Sequence, residues 1–273
     1  MHNLTRDNYF SIDADRKYMS VSQYKSFREE YGGCEAMAVA KLNGEYIQPP
    51  KEVFLEGSYV HSWNDGTQDE FKANNPDMYS SQGATKGQLK STFKHCNKMI
   101  EVLESDPFAL KALAGEKEII FTAEMFGTQW KIMIDSYQPK LKILTDLKTL
   151  KDIEGKFWNK GSNSYENFIR HYGYDLQLSM YAEIERIANN RPSEDWFIPH
   201  MVVVTKQETP DHEVIYFDKE MIRSKLFEVE QFLPRVIQVK NGQAKPVRCE
   251  KCDYCRGTKK LKTAKHYSEF DIY

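Results

Sequence analysis

The stretch that most limits the folds open to this chain runs from Gln129 to Lys148. It contains two β-rich runs, Gln129-Trp-Lys-Ile-Met-Ile-Asp135 and Leu141-Lys-Ile-Leu-Thr-Asp146-Leu147-Lys148, separated by Gln138-Pro139-Lys140, and this pattern predicts a hairpin. Side chains alternate along a strand, so Asp146 and Lys148 share a face while Leu147 turns into the core. Asp135 falls near the end of the first strand and roughly opposite Asp146, where cross-strand Cβ atoms stand about 5 Å apart. Two carboxylates and an ammonium therefore converge on one face. Carboxylates so placed raise each other's pKa or hold hard divalent cations such as Mg²⁺. A lysine beside them suits a site where negative charge develops during reaction. An Asp-x-Lys on the outer face of a strand is ordinarily a solvated edge. Here Ile132, Ile134, Ile143 and Leu147 indicate a buried sheet instead.

At 273 residues, with 40% hydrophobic and 13% aromatic residues, the chain can build a sizeable core. It shows no Gly/Ser/Pro-rich linker, repeat or low-complexity segment, so residues 1–273 are expected to form a single domain. No apolar run approaches the roughly 20 residues of a membrane span. The opening Met-His-Asn-Leu-Thr-Arg-Asp lacks the apolar region of a signal peptide, so a soluble intracellular protein is expected. A net charge of −2 does not announce a nucleic-acid binder. Nor does it exclude one, because an acidic metal site can sit in a locally basic groove.

Along the chain, residues 1–18 read as a flexible lead-in. Ser20-Val-Ser22 caps a helix that carries Tyr24, Phe27 and Tyr31 and stops at Gly32-Gly33. A second helical pattern runs from Glu35 to Leu42, and a third, from about Glu52 to Trp63, carries Gly57 and His61. Residues 64–86 read as a long loop or flap, and Gln88 to Ala114 as a helix. Glu118 to Met125 reads as a strand with Glu118, Ile120, Thr122 and Glu124 on one face. Thr149 to Asn163 connects onward against the site, with Trp158 and Lys160 available for substrate. Residues 164–190 form a long helix with Tyr174, Gln177, Met180 and Tyr181 on one face. A Tyr/Met stripe is ordinarily core, but a glutamine within it needs hydrogen-bond partners. Strands at His200–Thr205 and His212–Phe217 extend the sheet, and Lys219 to Val239 is a helix interrupted near Pro234. The result is an α/β sheet with flanking helices.

Three of the five cysteines crowd into Cys249-x₂-Cys252-x₂-Cys255, which is not the framework of a disulfide-stapled secreted domain. Three thiolates leave one ligand missing for a tetrahedral zinc or a four-cysteine iron–sulfur cluster, and Cys34 is the obvious fourth. Cys96 reads as a buried thiol. The Cys-containing tail, residues 245–273, is also basic, with Lys245, Arg248, Lys251, Arg256, Lys259, Lys260, Lys262 and Lys265 as a candidate phosphate track.

Taken in order, Gly57-x₃-His61, Asp135-x₁₀-Asp146-Leu147-Lys148 and Gln177-x₃-Tyr181 resemble the PD-(D/E)xK nuclease superfamily, within it the RecB-like and RecE-like (exodeoxyribonuclease VIII-like) phage exonucleases. The resemblance spans Ser20 to about Leu261. It implies a restriction-endonuclease-like α/β core, a central mixed β-sheet flanked by helices. It implies that His61, Asp135, Asp146 and the Leu147 carbonyl hold Mg²⁺ or Mn²⁺ while Lys148 orients or activates the attacking water. A glutamate on the preceding strand assists in this family. Alternation leaves Glu118 and Glu124 both open, and the family's spacing favours Glu118. Gln177 and Tyr181 correspond to residues that touch the DNA backbone or the active-site lysine. The implied activity is 5′→3′ digestion of double-stranded DNA ends for single-strand annealing recombination in a phage or prophage. A ring-shaped homo-oligomer, an annealing protein as partner, no membrane, and the cytoplasm of a bacterial host belong to the same expectation. Several RecB-like relatives staple an N-terminal cysteine to a C-terminal trio around a [4Fe-4S] cluster. Their trio is usually C-x₂-C-x₅-C, so the present spacing leaves a cluster, Zn²⁺ and free thiols open. The rival readings are a CRISPR-associated Cas4-type iron–sulfur nuclease, a catalytically inert DNA-binding module of the same fold, and a purely structural metal protein.

Overall fold

The two β-rich runs expected as a hairpin meet antiparallel over only three residue pairs, and the first of them pairs along its length with a strand that precedes it. In the computed structural model, which describes residues 4–48, 52–159 and 163–270, β1 (Glu116–Met125) and β2 (Thr128–Gln138) form an antiparallel hairpin. Phe126 and Gly127 turn it at φ of 52° and 76°, the two positive φ values that a two-residue hairpin turn demands. A 3₁₀ turn at Pro139–Leu141 leads into β3 (Ile143–Leu150). β3 pairs with β2 only through Ser136↔Thr145, Tyr137↔Leu144 and Gln138↔Ile143, after which the two strands part. A short ladder of β4 (Phe157–Asn159) and β5 (Ser164–Glu166) follows. β6 (Ile198–Thr205) then returns parallel to β3, and β7 (His212–Tyr216) closes the edge antiparallel to it. The mixed sheet has the order β1-β2-β3-β6-β7.

Helices cover both faces. Ahead of the sheet come α1 (Ile12–Lys17), α2 (Val21–Phe27), α3 (Glu35–Asn43), α4 (Glu52–Asn64), α5 (Gln68–Asn74), α6 (Ser91–Ser105) and α7 (Pro107–Ala112). The Ser20 side chain caps α2 by accepting from the Gln23 amide, as its sequence predicts. Between β5 and β6 lie α8 (Phe168–Tyr172) and α9 (Tyr174–Ala188), and after β7 come α10 (Lys219–Lys240) and α11 (Asp253–Gly257). On one face Tyr24, Leu176, Met180 and Val229 pack with Leu144, Met201 and Val203. On the other, Tyr59 and Val60 of α4 and Phe93 and Met99 of α6 pack with Leu147, Val202 and Val204. The period of two along β3 thus buries Leu147 against α4 and α6 and turns its neighbours Asp146 and Lys148 toward α9.

Five local expectations are corrected. Residues 164–190, expected as one long helix, form β5, α8 and, after Gly173 at φ of 62°, α9. The segment expected as a flexible lead-in is docked from residue 4 onward. The Lys131 ammonium, 1% exposed, ion-pairs with Asp15 at 2.6 Å and donates to the Tyr9 carbonyl, because a buried charge must be partnered. Met19 adds a bridge alongside β2, accepting from the Lys131 amide at 2.9 Å. Residues 64–86, expected as a loop, hold α5 and 3₁₀ turns at Pro76–Met78 and Gly83–Thr85, anchored by buried Met78. The helix expected from Gln88 to Ala114 breaks at Asp106-Pro107, where the Asp106 side chain accepts from the Phe108 and Ala109 amides. Pro234, by contrast, does not interrupt α10. Burial of Val229, Leu233, Val236 and Val239 offsets the roughly 3 kcal/mol a mid-helix proline costs.

Candidate active site

The site forms in the fork where β2 and β3 separate. Asp135 stands at the first position beyond their last paired residues, and its Oδ2 accepts a hydrogen bond from the Leu147 amide at 2.7 Å. The carboxylate thus replaces a backbone acceptor that the diverging strand no longer offers. The amide and carbonyl of one extended residue point to the same side of its strand, so the Leu147 carbonyl also faces the fork. α4 brings His61 in, with Nδ1 3.5 Å from Asp135 Oδ2. A Cβ on Gly57, one turn earlier, would meet Thr149 Oγ1 at 3.5 Å, an ordinary contact.

Asp146 is 3% exposed, and its Oδ2 lies 2.6 Å from Lys148 Nζ. Its Oδ1 accepts from Gln177 Nε2 at 2.9 Å, and the same amide nitrogen reaches Tyr181 Oη at 3.1 Å. The half-buried glutamine of α9 therefore has partners for its amide. Burial pushes the Asp146 carboxyl up; Lys148 opposes the rise and Asp135 adds to it. For Lys148, burial works to lower the pKa, but the Asp146 and Asp135 carboxylates outweigh it and raise it above the ordinary value. The Tyr174 ring closes this side, 5.4 Å from Lys148 Nζ.

Of the two candidate glutamates on β1, Glu118 and Glu124, the fold brings in Glu118. Its backbone sits at φ of 50°, and its carboxylate ion-pairs with Arg6 near Asp65 and Asp135. Glu124 stays exposed and accepts from Gln129 at 2.9 Å, away from the cavity. Arg6 also binds Asp65 Oδ2 at 2.5 Å. Burial, a hydrogen bond to Asp65 and the neighbouring Asp65 and Asp135 charges push the Glu118 carboxyl up to about 7, against the pull of Arg6. Burial also opposes the Asp65 charge, but hydrogen bonds from Thr67 and Glu118 outweigh it and hold its pKa down.

These groups line one cavity of about 710 Å³, together with Tyr9, Asp15 and Lys131. Sequence reasoning missed Arg6, Asp65 and Lys131. Asp65 carried a signal, being four residues beyond His61 and so on the same helical face. Asp65-Gly66-Thr67 instead reads as a turn, which it also is, with Asp65 Oδ1 accepting from the Thr67 amide at 3.0 Å. Arg6 carried none. Trp158 stands exposed on β4, edge-on to Tyr165 at 5.1 Å and outside the cavity lining, and Lys160 lies outside the described residues. None of the basic residues of the tail lines the cavity, and Arg248, Arg256 and Lys265 are ion-paired with Glu250, Asp253 and Glu269.

The donor set fits a hard divalent cation, with carboxylate oxygens and one imidazole. Asp146 Oδ2 is buried and meets the Lys148 ammonium at 2.6 Å, with no further hydrogen-bond partner among the described residues. As the side chains stand, the ligand atoms of His61, Asp135 and Asp146 do not all lie within 4.8 Å of one another. The group whose ligand atoms all lie within 4.8 Å of one another, among the described residues, is Cys34, Cys249, Cys252 and Cys255. Cys96 is buried elsewhere, against the Glu56 carbonyl. No described helix is long and apolar enough to cross a membrane.

A family described as a PDDEXK-like domain of unknown function (DUF3799) matches residues 20–258. A crystal structure of a candidate exonuclease from Eubacterium rectale is 37% identical, covers 98% of both chains and superposes with a TM-score of 0.90. A second solved structure, SSO0001, aligns at 15% identity over 81% of this chain and 91% of that chain, with a TM-score of 0.26, too low to bear on the fold. A search of curated proteins returned no match.

Proposed function

Because the chain belongs to the PDDEXK-like family DUF3799, we propose that it is a divalent-metal-dependent deoxyribonuclease that digests duplex DNA from its ends. The observation that carries this reading is the convergence of His61, Asp135, Asp146 and Lys148 in one cavity, with Gln177, itself bonded to Tyr181, holding Asp146. The whole-length likeness to a candidate exonuclease supports the exonucleolytic part.

His61, Asp135, Asp146 and the Leu147 carbonyl would hold Mg²⁺ or Mn²⁺, which acidifies bound water and neutralises charge at the scissile phosphate. Each remaining task belongs to the chain itself. The Leu147 amide fixes Asp135, so one carboxylate oxygen has a set direction before metal enters. Gln177 does the same for Asp146. Lys148 sits at the Asp146 oxygen, where its ammonium can orient the attacking water and stabilise the negative charge that builds on the phosphate oxygens. Glu118 and Asp65 stand behind Asp135 as auxiliary carboxylates tied down by Arg6. The family resemblance extends the proposal to 5′→3′ polarity, a ring-shaped homo-oligomer around duplex DNA, and an annealing protein as recombination partner in a phage or its bacterial host's cytoplasm.

The test is an end-labelled linear duplex set against a covalently closed circle, each with Mg²⁺, Mn²⁺ or EDTA. Loss of the linear duplex in either metal, with the circle intact, is expected. Survival of both substrates in both metals would refute the nuclease reading. Cutting of the circle would refute the requirement for ends.

A further inference from the structure

The four-cysteine cluster lies apart from the cavity and belongs to no step above. Cys34 is the N-cap of α3, and Cys249, Cys252 and Cys255 wrap the short helix α11 near the other end of the chain. Cys34 is 4% exposed and Cys255 is fully buried. Their sulfurs are 3.6 Å apart, and all four lie within 4.8 Å of one another.

Those separations discriminate between occupants. A tetrahedral zinc with Zn–S bonds of about 2.3 Å holds its sulfurs about 3.8 Å apart. In a [4Fe-4S] cube each thiolate sits outward on its own iron, which spreads the four sulfurs to roughly 6 Å. A disulfide needs S–S contact at about 2.05 Å, and all four cysteines are free. Backbone amides point at the sulfurs as well. Lys251 and Cys252 donate to Cys249 Sγ at 3.5 and 3.3 Å, and Cys255 donates to Cys252 Sγ at 3.4 Å. Such N–H···S contacts stabilise thiolates and orient them, as outer partners do at metal centres. Four thiolates around one dication leave a net negative site. The Arg248 guanidinium stands beside it, donating to the Cys255 carbonyl at 2.7 Å.

We propose that Cys34, Cys249, Cys252 and Cys255 hold a single structural zinc ion, in a site too tight for the iron–sulfur cluster that the family resemblance suggests. With four protein ligands the site has no open position, so its work is to hold α11 to α3. The tail is already aligned for this. Ala36 donates to the Val247 carbonyl at 3.1 Å, Val247 donates to Glu35 Oε2 at 2.7 Å, and the Tyr46 and Tyr254 rings meet edge-on at 5.6 Å. Closing a loop of more than two hundred residues removes freedom from the unfolded chain, so metal binding stabilises the whole fold.

The test is elemental analysis of the full chain purified without oxygen or chelator. About one zinc per chain in colourless protein is expected. Growth with cobalt should give the intense visible bands of a tetrahedral thiolate Co²⁺ site. Cys34→Ser should lose the ion and melt lower, and Cys96→Ser should keep the ion. If Cys34→Ser does not fold, the wild-type metal content and cobalt spectrum decide. Brown protein with about four irons per chain would overturn the proposal. So would metal-free protein, whether its thiols titrate as free or as disulfides. The ion is measured directly, so failure here leaves the nuclease reading intact, and failure of that reading leaves this one intact.

Discussion

Asp135→Ala and Asp135→Asn remove the same negative charge but leave the Leu147 amide in different states. In both variants Asp146 loses the neighbour that raises its pKa, which by itself favours the folded apoprotein. Charge alone therefore predicts that the two are alike, since both lose the repulsion with Asp146 and the attraction to Lys148. The 2.7 Å bond from the Leu147 amide to Asp135 Oδ2 changes that. Asparagine retains an acceptor oxygen there, whereas alanine leaves an N–H without a partner on a residue that is 0% exposed. An orphaned buried donor costs about 1–3 kcal/mol. In a chain of this size that lowers the melting temperature by roughly 2–12 °C. Thermal and urea unfolding in EDTA should rank Asp135→Ala below Asp135→Asn by this margin, with far-UV circular dichroism unchanged. Duplex degradation should be abolished in both, since neither keeps the charged ligand. Equal stabilities would refute the structural role of the carboxylate, and undiminished turnover in either would refute its place at the metal.

Lys148→Ala should cut the degradation rate by about 10²–10³ while Mn²⁺ still binds by calorimetry, because the ammonium acts on water and phosphate rather than on the ion. Normal turnover would remove Lys148 from the mechanism. Gln177→Leu removes the donor to Asp146 Oδ1, and an effect of about 10–100-fold on metal affinity or rate is expected, with rescue by metal excess separating affinity from rate. Glu118 carries its proton up to about 7 in the folded chain against an ordinary 4.5, so the folded state binds more protons between those values. Its contribution to stability is therefore full below about 4.5 and lost as pH rises through about 7. Denaturation of apoprotein across that window should show Glu118→Gln flattening the fall, and an unchanged slope would exclude Glu118 as its source.

Some of this molecule was legible because it is written in local periods. Alternation alone puts Asp146 and Lys148 on one face and Leu147 on the other, and β3 keeps to it. The three- and four-residue step from Tyr174 through Gln177 to Tyr181 likewise survives in α9, where Gln177 donates to both Tyr181 and Asp146. The cap at Ser20 is a short-range matter of backbone dihedrals and nearby donors. What the sequence left open depends on contacts through space. Periodicity cannot choose between Glu118 and Glu124, because the choice rests on a single positive φ and on the ion pair from Arg6, more than a hundred residues away. Nor can spacing reveal that the buried Lys131 pins Tyr9 and Asp15 beside the site. Cysteine count and spacing point to a metal without choosing it. That choice needs the separations of four sulfurs drawn from opposite ends of the chain, and only packing brings them within 4.8 Å. Local rules act over a few bonds, whereas metal size, buried charge pairing and strand divergence are settled by which distant segments the core brings together.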